Sequence, residues 1–224
     1  MRTKLIGLGP DAGAPDLIGV GLVRLAVEER LTPAAAPWLA PLRAASFADA
    51  WLTFGDPAAP GLRVPAEAVL QAVVRRAAEL VLRRHGGDGP AALEQLGRES
   101  AEAREWARLA EVCHPAEPAA LVLLWHGVRS ATAGTGPTAA AERASHTAAV
   151  AARCGAYVRD HCRRQDLLAL VLACARSAAA ALADLTDDDR DRALAELDAQ
   201  AAHYMAPTAP VPLWVPGRPA GPAS

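Results

Sequence analysis

His126 and Arg129 stand one helical turn apart inside "LVLLWHGVRS", a stretch that is otherwise apolar. Arg176 and Ser177 interrupt "LLALVLACARSAAAAL" in the same way. Arg24 interrupts "LIGVGLVRLAV", with Glu28 one turn further on. An unpaired buried charge costs several kcal/mol, so each of these groups needs a partner or water. If they converge, two arginines in a dry site would hold a carboxylate or phosphate bidentately. A histidine beside them would transfer protons near neutral pH. On this reading His126, Arg129 and Arg176 are the catalytic candidates. Arg24, Trp125 and Ser177 are the substrate contacts, and Trp51 and Trp106 are further apolar walls. The alternative is local pairing: Arg24 with Glu28, Arg129 and Arg176 reaching outward along their stems, and His126 hydrogen-bonded in the core.

The elements that carry these residues follow from composition. The chain has 224 residues, 52% of them hydrophobic and only 4% aromatic. Alanine and leucine, both strong helix formers, supply that apolar content, and strand-favouring β-branched and aromatic residues are scarce. A domain of this length buries roughly 70% of its unfolded surface and needs no staple. The net charge of −2 supplies no basic field for nucleic acid or an anionic membrane. Lys4 is the only lysine, a bias that fits a GC-rich bacterial genome. The four cysteines, Cys113, Cys154, Cys162 and Cys174, form no CxxC pair and read as small buried hydrophobes in a reducing cytoplasm. Gly7, Gly9 and Pro10 break any signal-peptide core, and apolar runs such as Ala119–Val128 fall short of a membrane span.

Proline and glycine punctuation predicts eight helices. Their expected bounds are Asp16–Leu31, Ser46–Phe54, Pro65–His85, Pro90–Cys113, Pro118–Ala133, Thr138–Arg164, Asp166–Leu185 and Asp187–Tyr204. The expected fold is all-α: a single-domain bundle over residues 16–205, with a flexible lead-in at 1–15 and a proline-rich tail at 206–224. Leu17–Val27 and the stretches around His126 and Arg176 are apolar nearly all round, so they should lie centrally with amphipathic helices around them. Pro90–Cys113 should turn Leu93, Leu96, Ala103, Ala107 and Ala110 inward. Thr138–Arg164 should bury Ala144, Thr147, Ala151, Cys154, Val158 and Cys162, leaving Glu142, His146, Arg153 and Asp160 to solvent.

Three other motifs carry spacings found at cofactor or metal sites. Gly7, Gly9, Pro10, Asp11, Pro15, Asp16 and Leu17 resemble the glycine-rich start of the tetrapyrrole methylases, here with a longer loop. That resemblance implies further parallel strands downstream, and no strand-like run follows, so the expectation is a lead-in capped by Asp16. Asp187, Asp188 and Asp191 have the spacing of the magnesium-binding aspartates of class I terpene synthases. Capping of the last helix by Thr186 and its acidic first turn explains them better. Glu111 and His114 match the Glu-x-x-His spacing of ferritin-like metal sites, with Glu142 and His146 on another helix.

The expected function is a small-molecule enzyme whose intrahelical His/Arg pocket takes a small anionic or carboxylate-bearing, largely apolar substrate, in bacterial specialised metabolism. The alternatives are a chaperone-like helical adaptor without catalysis and a di-metal carboxylate/His bundle. The expected partners are a small-molecule ligand and a second copy of the chain, with no nucleic acid and no membrane. No cofactor or metal ligand is assigned.

Overall fold

The fold is that of a computed structural model, which describes residues 14–32, 38–54, 63–112, 115–134, 136–160 and 164–205. Within these lie helices α1 (Ala14–Leu31), α2 (Leu39–Trp51), α3 (Ala66–Arg84), α4 (Gly89–Leu109), α5 (Ala116–Thr132), α6 (Pro137–Asp160), α7 (Arg164–Leu185) and α8 (Arg190–Met205). The expected lead-in up to residue 13 and the tail from 206 lie outside the described residues, as do Cys113, His114 and Cys162.

The chain is an all-α bundle. Helices α1, α3 and α5 pack in that order, α7 lies across all three, α4 and α6 flank α5, and α8 rests on α1. The centrality expected for α1, α5 and α7 is observed. α3 joins them, burying ten residues that include Val69, Leu70, Val73 and Leu80. At roughly 25 cal/mol per Å² of apolar surface, this continuous alanine, valine and leucine core is the dominant favourable term. The window Asp166–Leu185 of α7 is long and apolar enough to cross a membrane by length and composition. That span carries Asp166, Arg176 and Asp184, so it is not one of the uncharged apolar runs, which fall short. In the bundle 61% of that window is buried, because α1, α3 and α5 cover it.

Several local expectations are corrected. α1 starts at Ala14, and Asp16 sits in its first turn, ion-paired with Arg75 of α3 rather than serving as the cap. α2 starts at Leu39, ahead of the expected Ser46, because Pro41 in a first turn lacks only a donor that has no intrahelical acceptor anyway. Leu52–Thr53 and Val64–Pro65 leave the helical pattern and pair as a short parallel bridge, β1 with β2. Thr186 does not cap α8. Its hydroxyl donates back to the Leu182 carbonyl, and Asp189 caps instead by accepting from the Asp191 and Arg192 amides. Asp187 and Asp188 both adopt left-handed backbone, at φ 56°, in the turn before α8, so they share no helix face with Asp191.

α4 turns Leu96 and Ala107 inward as expected, with Leu93 and Ala103 half-buried and Ala110 exposed. α6 is rotated from the expected orientation by about one residue. It buries Ala139, Val150, Cys154 and Tyr157, and leaves Ala144, Thr147 and Ala151 exposed. Val150 and Tyr157 remove more apolar area from water than alanines do, so they set the face. Cys154 and Cys174 are buried free thiols, and burial pushes the Cys154 thiol up to about 12.

Close approach matters most at Gly127, where a Cβ would meet the Ala78 Cβ of α3 at 2.8 Å. Gly-to-Ala in a helix interior is ordinarily stabilising by roughly 0.5–1 kcal/mol. Here the extra methyl has no flexible neighbour to displace, so Gly127→Ala should destabilise by about 1–3 kcal/mol. Urea denaturation checks this, and an unchanged or raised midpoint would contradict the packing.

Candidate functional site

α5 and α6 build the site together. Pro137 opens α6 just after Gly136, whose φ of 111° suits glycine alone. Arg143, nearly two turns into α6, donates to the carbonyls of Ala133 and Gly134 beyond the end of α5, at 3.3 and 2.6 Å. A cation there satisfies terminal acceptors and opposes the helix dipole. Ser130 and Thr147 join the two helices again through their hydroxyls, 3.4 Å apart. These contacts fix the register of α6 on α5.

That register sets His126 against α6. Arg153 donates its Nε–H to His126 Nε2 at 3.0 Å. An Nε2 that accepts leaves the proton of the neutral ring on Nδ1. His126 Nδ1 lies 3.2 Å from His146 Nδ1, so it donates there and places the His146 proton on Nε2. His146 Nε2 faces Glu142 Oε1 at 3.8 Å, and the same oxygen takes the Arg129 guanidinium at 3.4 Å. The hydrogen bonds thus run in one direction, from Arg153 through His126 to His146, towards Glu142. Trp125 stands edge-on to both imidazoles, with centroids 5.1 and 6.1 Å away, and the Arg129 cation lies 5.6 Å from the Trp125 ring centroid.

His126 is held below its ordinary pKa, first by burial, then by the Arg153 cation and by His146. The ring is therefore neutral around pH 7, with both of its nitrogens engaged.

Arg153 also borders an open cleft of about 230 Å³ between α5, α6 and α7. Ala119, Val122 and Leu123 line it from α5, Ala156 and Tyr157 from α6, and Leu170 from α7. The lining is apolar apart from Arg153 and the Tyr157 phenol. Burial, aided by Asp166 at the start of α7, pushes that phenol up to about 12, so it stays protonated.

Of the residues singled out in the sequence, His126, Arg129 and Trp125 meet here. Arg176 does not; it points away to Glu29 of α1 in an exposed ion pair, with N–O separations of 3.2 and 3.4 Å. Ser177 donates back to the Ala173 carbonyl of its own helix. Arg24 pairs with Glu28 as the alternative reading had it, and also with Asp198 of α8. Trp106 is 63% exposed near the end of α4, and Trp51 packs near the end of α2. Arg176, Ser177, Arg24, Trp51 and Trp106 are thus not brought to His126. The residues missed are His146, Arg153 and Glu142, assigned to a solvated face. The signal was their register with Val150 and Tyr157. Among the described residues, no group of three or more His, Cys, Asp or Glu side chains could hold a metal ion.

No protein-family model, no curated protein and no solved structure matches the chain. The functional reading therefore stands on this geometry.

Between its ordinary value of 6.5 and its lowered folded value, the unfolded chain binds a proton at His126 that the folded chain excludes. This contribution to stability is present above that window and is lost as pH falls through it. The urea midpoint should drop between about pH 7.5 and 5.5, and His126→Gln should flatten the drop. An equally steep fall in the variant would contradict the assignment.

Proposed function

We propose that the cleft between α5, α6 and α7 binds a small, largely apolar carboxylate, with Arg153 holding the head group and the His126–His146 pair beside it for proton transfer. One observation carries this reading: an otherwise apolar cleft of about 230 Å³ has a guanidinium on its rim. Such a site rewards a ligand with a hydrocarbon body and one anionic end. The imidazole pair beside the same guanidinium supplies the group for an acid–base step. This reading puts Arg153 in the place expected of Arg176.

Octanoate is a suitable probe, followed by titration calorimetry and Trp125 fluorescence. Arg153→Gln should weaken its binding about tenfold or more, since a charge-assisted hydrogen bond is worth roughly 1.5–3 kcal/mol. Ala156→Phe should fill the cleft and abolish binding while the helical dichroism persists. Arg176→Gln should change nothing, because Arg176 serves Glu29. Equal binding by wild type and Ala156→Phe would refute the cleft as the site.

A second reading, a helical binding protein, draws on the end of α4. Trp106, Leu109 and Val112 are exposed there, at 63, 67 and 38%. Clustered large apolar side chains on a surface mark association sites. If this face pairs two copies, light scattering on dilution should show a dimer that Trp106→Ser with Leu109→Ser converts to monomer. A monomer in both proteins would discard it.

A further inference from the structure

We propose that Arg153 couples the cleft to the imidazole pair, so that an anionic head group entering the cleft brings one proton onto His126 and His146. This deepens, and rests on, the reading of the cleft as a carboxylate site.

Arg153 is the residue common to the cleft lining and the imidazole chain. In the unliganded protein its Nε–H occupies the His126 Nε2 lone pair, the atom through which that ring would take a second proton. The same cation also opposes positive charge on the ring. A carboxylate that draws the guanidinium into the cleft removes both obstacles together. It frees Nε2, and it neutralises the cation. Solvent then supplies one proton to Nε2, and His126 keeps donating its Nδ1–H to His146 Nδ1, 3.2 Å away. The two Nδ1 atoms share a single proton, so the pair gains one charge and not two. The balance is one carboxylate and one proton bound, with no covalent bond made or broken.

The charged groups around the pair are consistent with this. From α6 come Arg153 and Glu142, and from α5 comes Arg129, already paired with Glu142. The Glu142 carboxylate at 3.8 Å from His146 Nε2 offsets the added charge. On the packed helices α3 and α7, Glu67 acts on Cys154 and Asp166 acts on Tyr157. α4 contributes none of the ionic contacts described for the pair.

The test uses the full chain with octanoate as ligand and octanamide as its neutral counterpart. Calorimetry near pH 7 in phosphate and in Tris, buffers of different ionisation heat, gives the protons exchanged. Octanoate should take up about half to one proton per molecule bound, falling to none by about pH 9, and octanamide should take up none. In ligand-free protein, the histidine ring resonances of Arg153→Gln should titrate at higher pH than in wild type, by about half a pH unit or more. Octanoate binding without proton uptake overturns the coupling and leaves the cleft reading standing. Failure of octanoate to bind overturns both. Uptake that persists in His126→Gln, or unshifted ring titrations in Arg153→Gln, overturns the coupling through these residues.

Discussion

Close approach of helix backbones is the constraint on which this molecule depends. α5 meets α3 at Gly127, with the Ala78 methyl and Val74 filling the space a side chain would take. α1 meets α3 in the same manner at Gly19, where a Cβ would stand 3.3 Å from Val73. Small residues at crossings let helices approach until their ridges interlock, and dispersion contacts then accumulate along the whole seam. With aromatics at only 4% of the sequence, few large rings are available to fill gaps between distant helices. The core must be thin-walled and tightly drawn, and the alanines of α7 make that possible.

That tightness decides where polarity can sit. α5 presses Leu121, Leu124 and Val128 into the core, which turns His126 and Arg129 towards α6. α6 answers with Glu142, His146 and Arg153 spaced along one face, so one terminal nitrogen of Arg129 and both ring nitrogens of His126 meet partners there. The arrangement is nearly self-neutralising: one guanidinium is matched by one carboxylate, and two imidazole rings lie between them and a second guanidinium. That second cation, Arg153, is the one left facing the cleft. Among the described residues of the site, the charge without an opposite partner is thus placed where an incoming molecule can reach it.

Much of the fold was legible because proline and glycine mark helix ends by simple rules. Gly86 and Gly87 end α3 with left-handed backbone, and Asp88 caps α4 through the Ala91 amide. Legibility failed where two rules competed. Thr186 and Asp189 were both able to cap α8, and only packing of the Thr186 hydroxyl back onto α7 decided between them. Polar residues inside apolar runs singled out His126 and Arg129, which the structure brings together against α6. The same logic misled at Arg24 and Arg176. In an alanine-rich helix a face can be exposed without showing any polar neighbours, so an arginine there looks buried when it is not. The partners on α6 were hidden by the converse effect: its alanines suggested an apolar stripe, while Val150 and Tyr157 set the true inward direction one residue away.

The position of α7 in the chain has a consequence for how the protein is made. The helix that lies across α1, α3 and α5 is the seventh of eight, and it begins only at Arg164. On the ribosome, at about 5–20 residues per second, the earlier helices wait many seconds with their shared groove uncovered. Local helices form in microseconds, so the delay belongs to the arrival of the lid strut and not to any step of winding. The groove between α1, α3 and α5 therefore stays open until α7 has been made, and its closure is a late, long-range event.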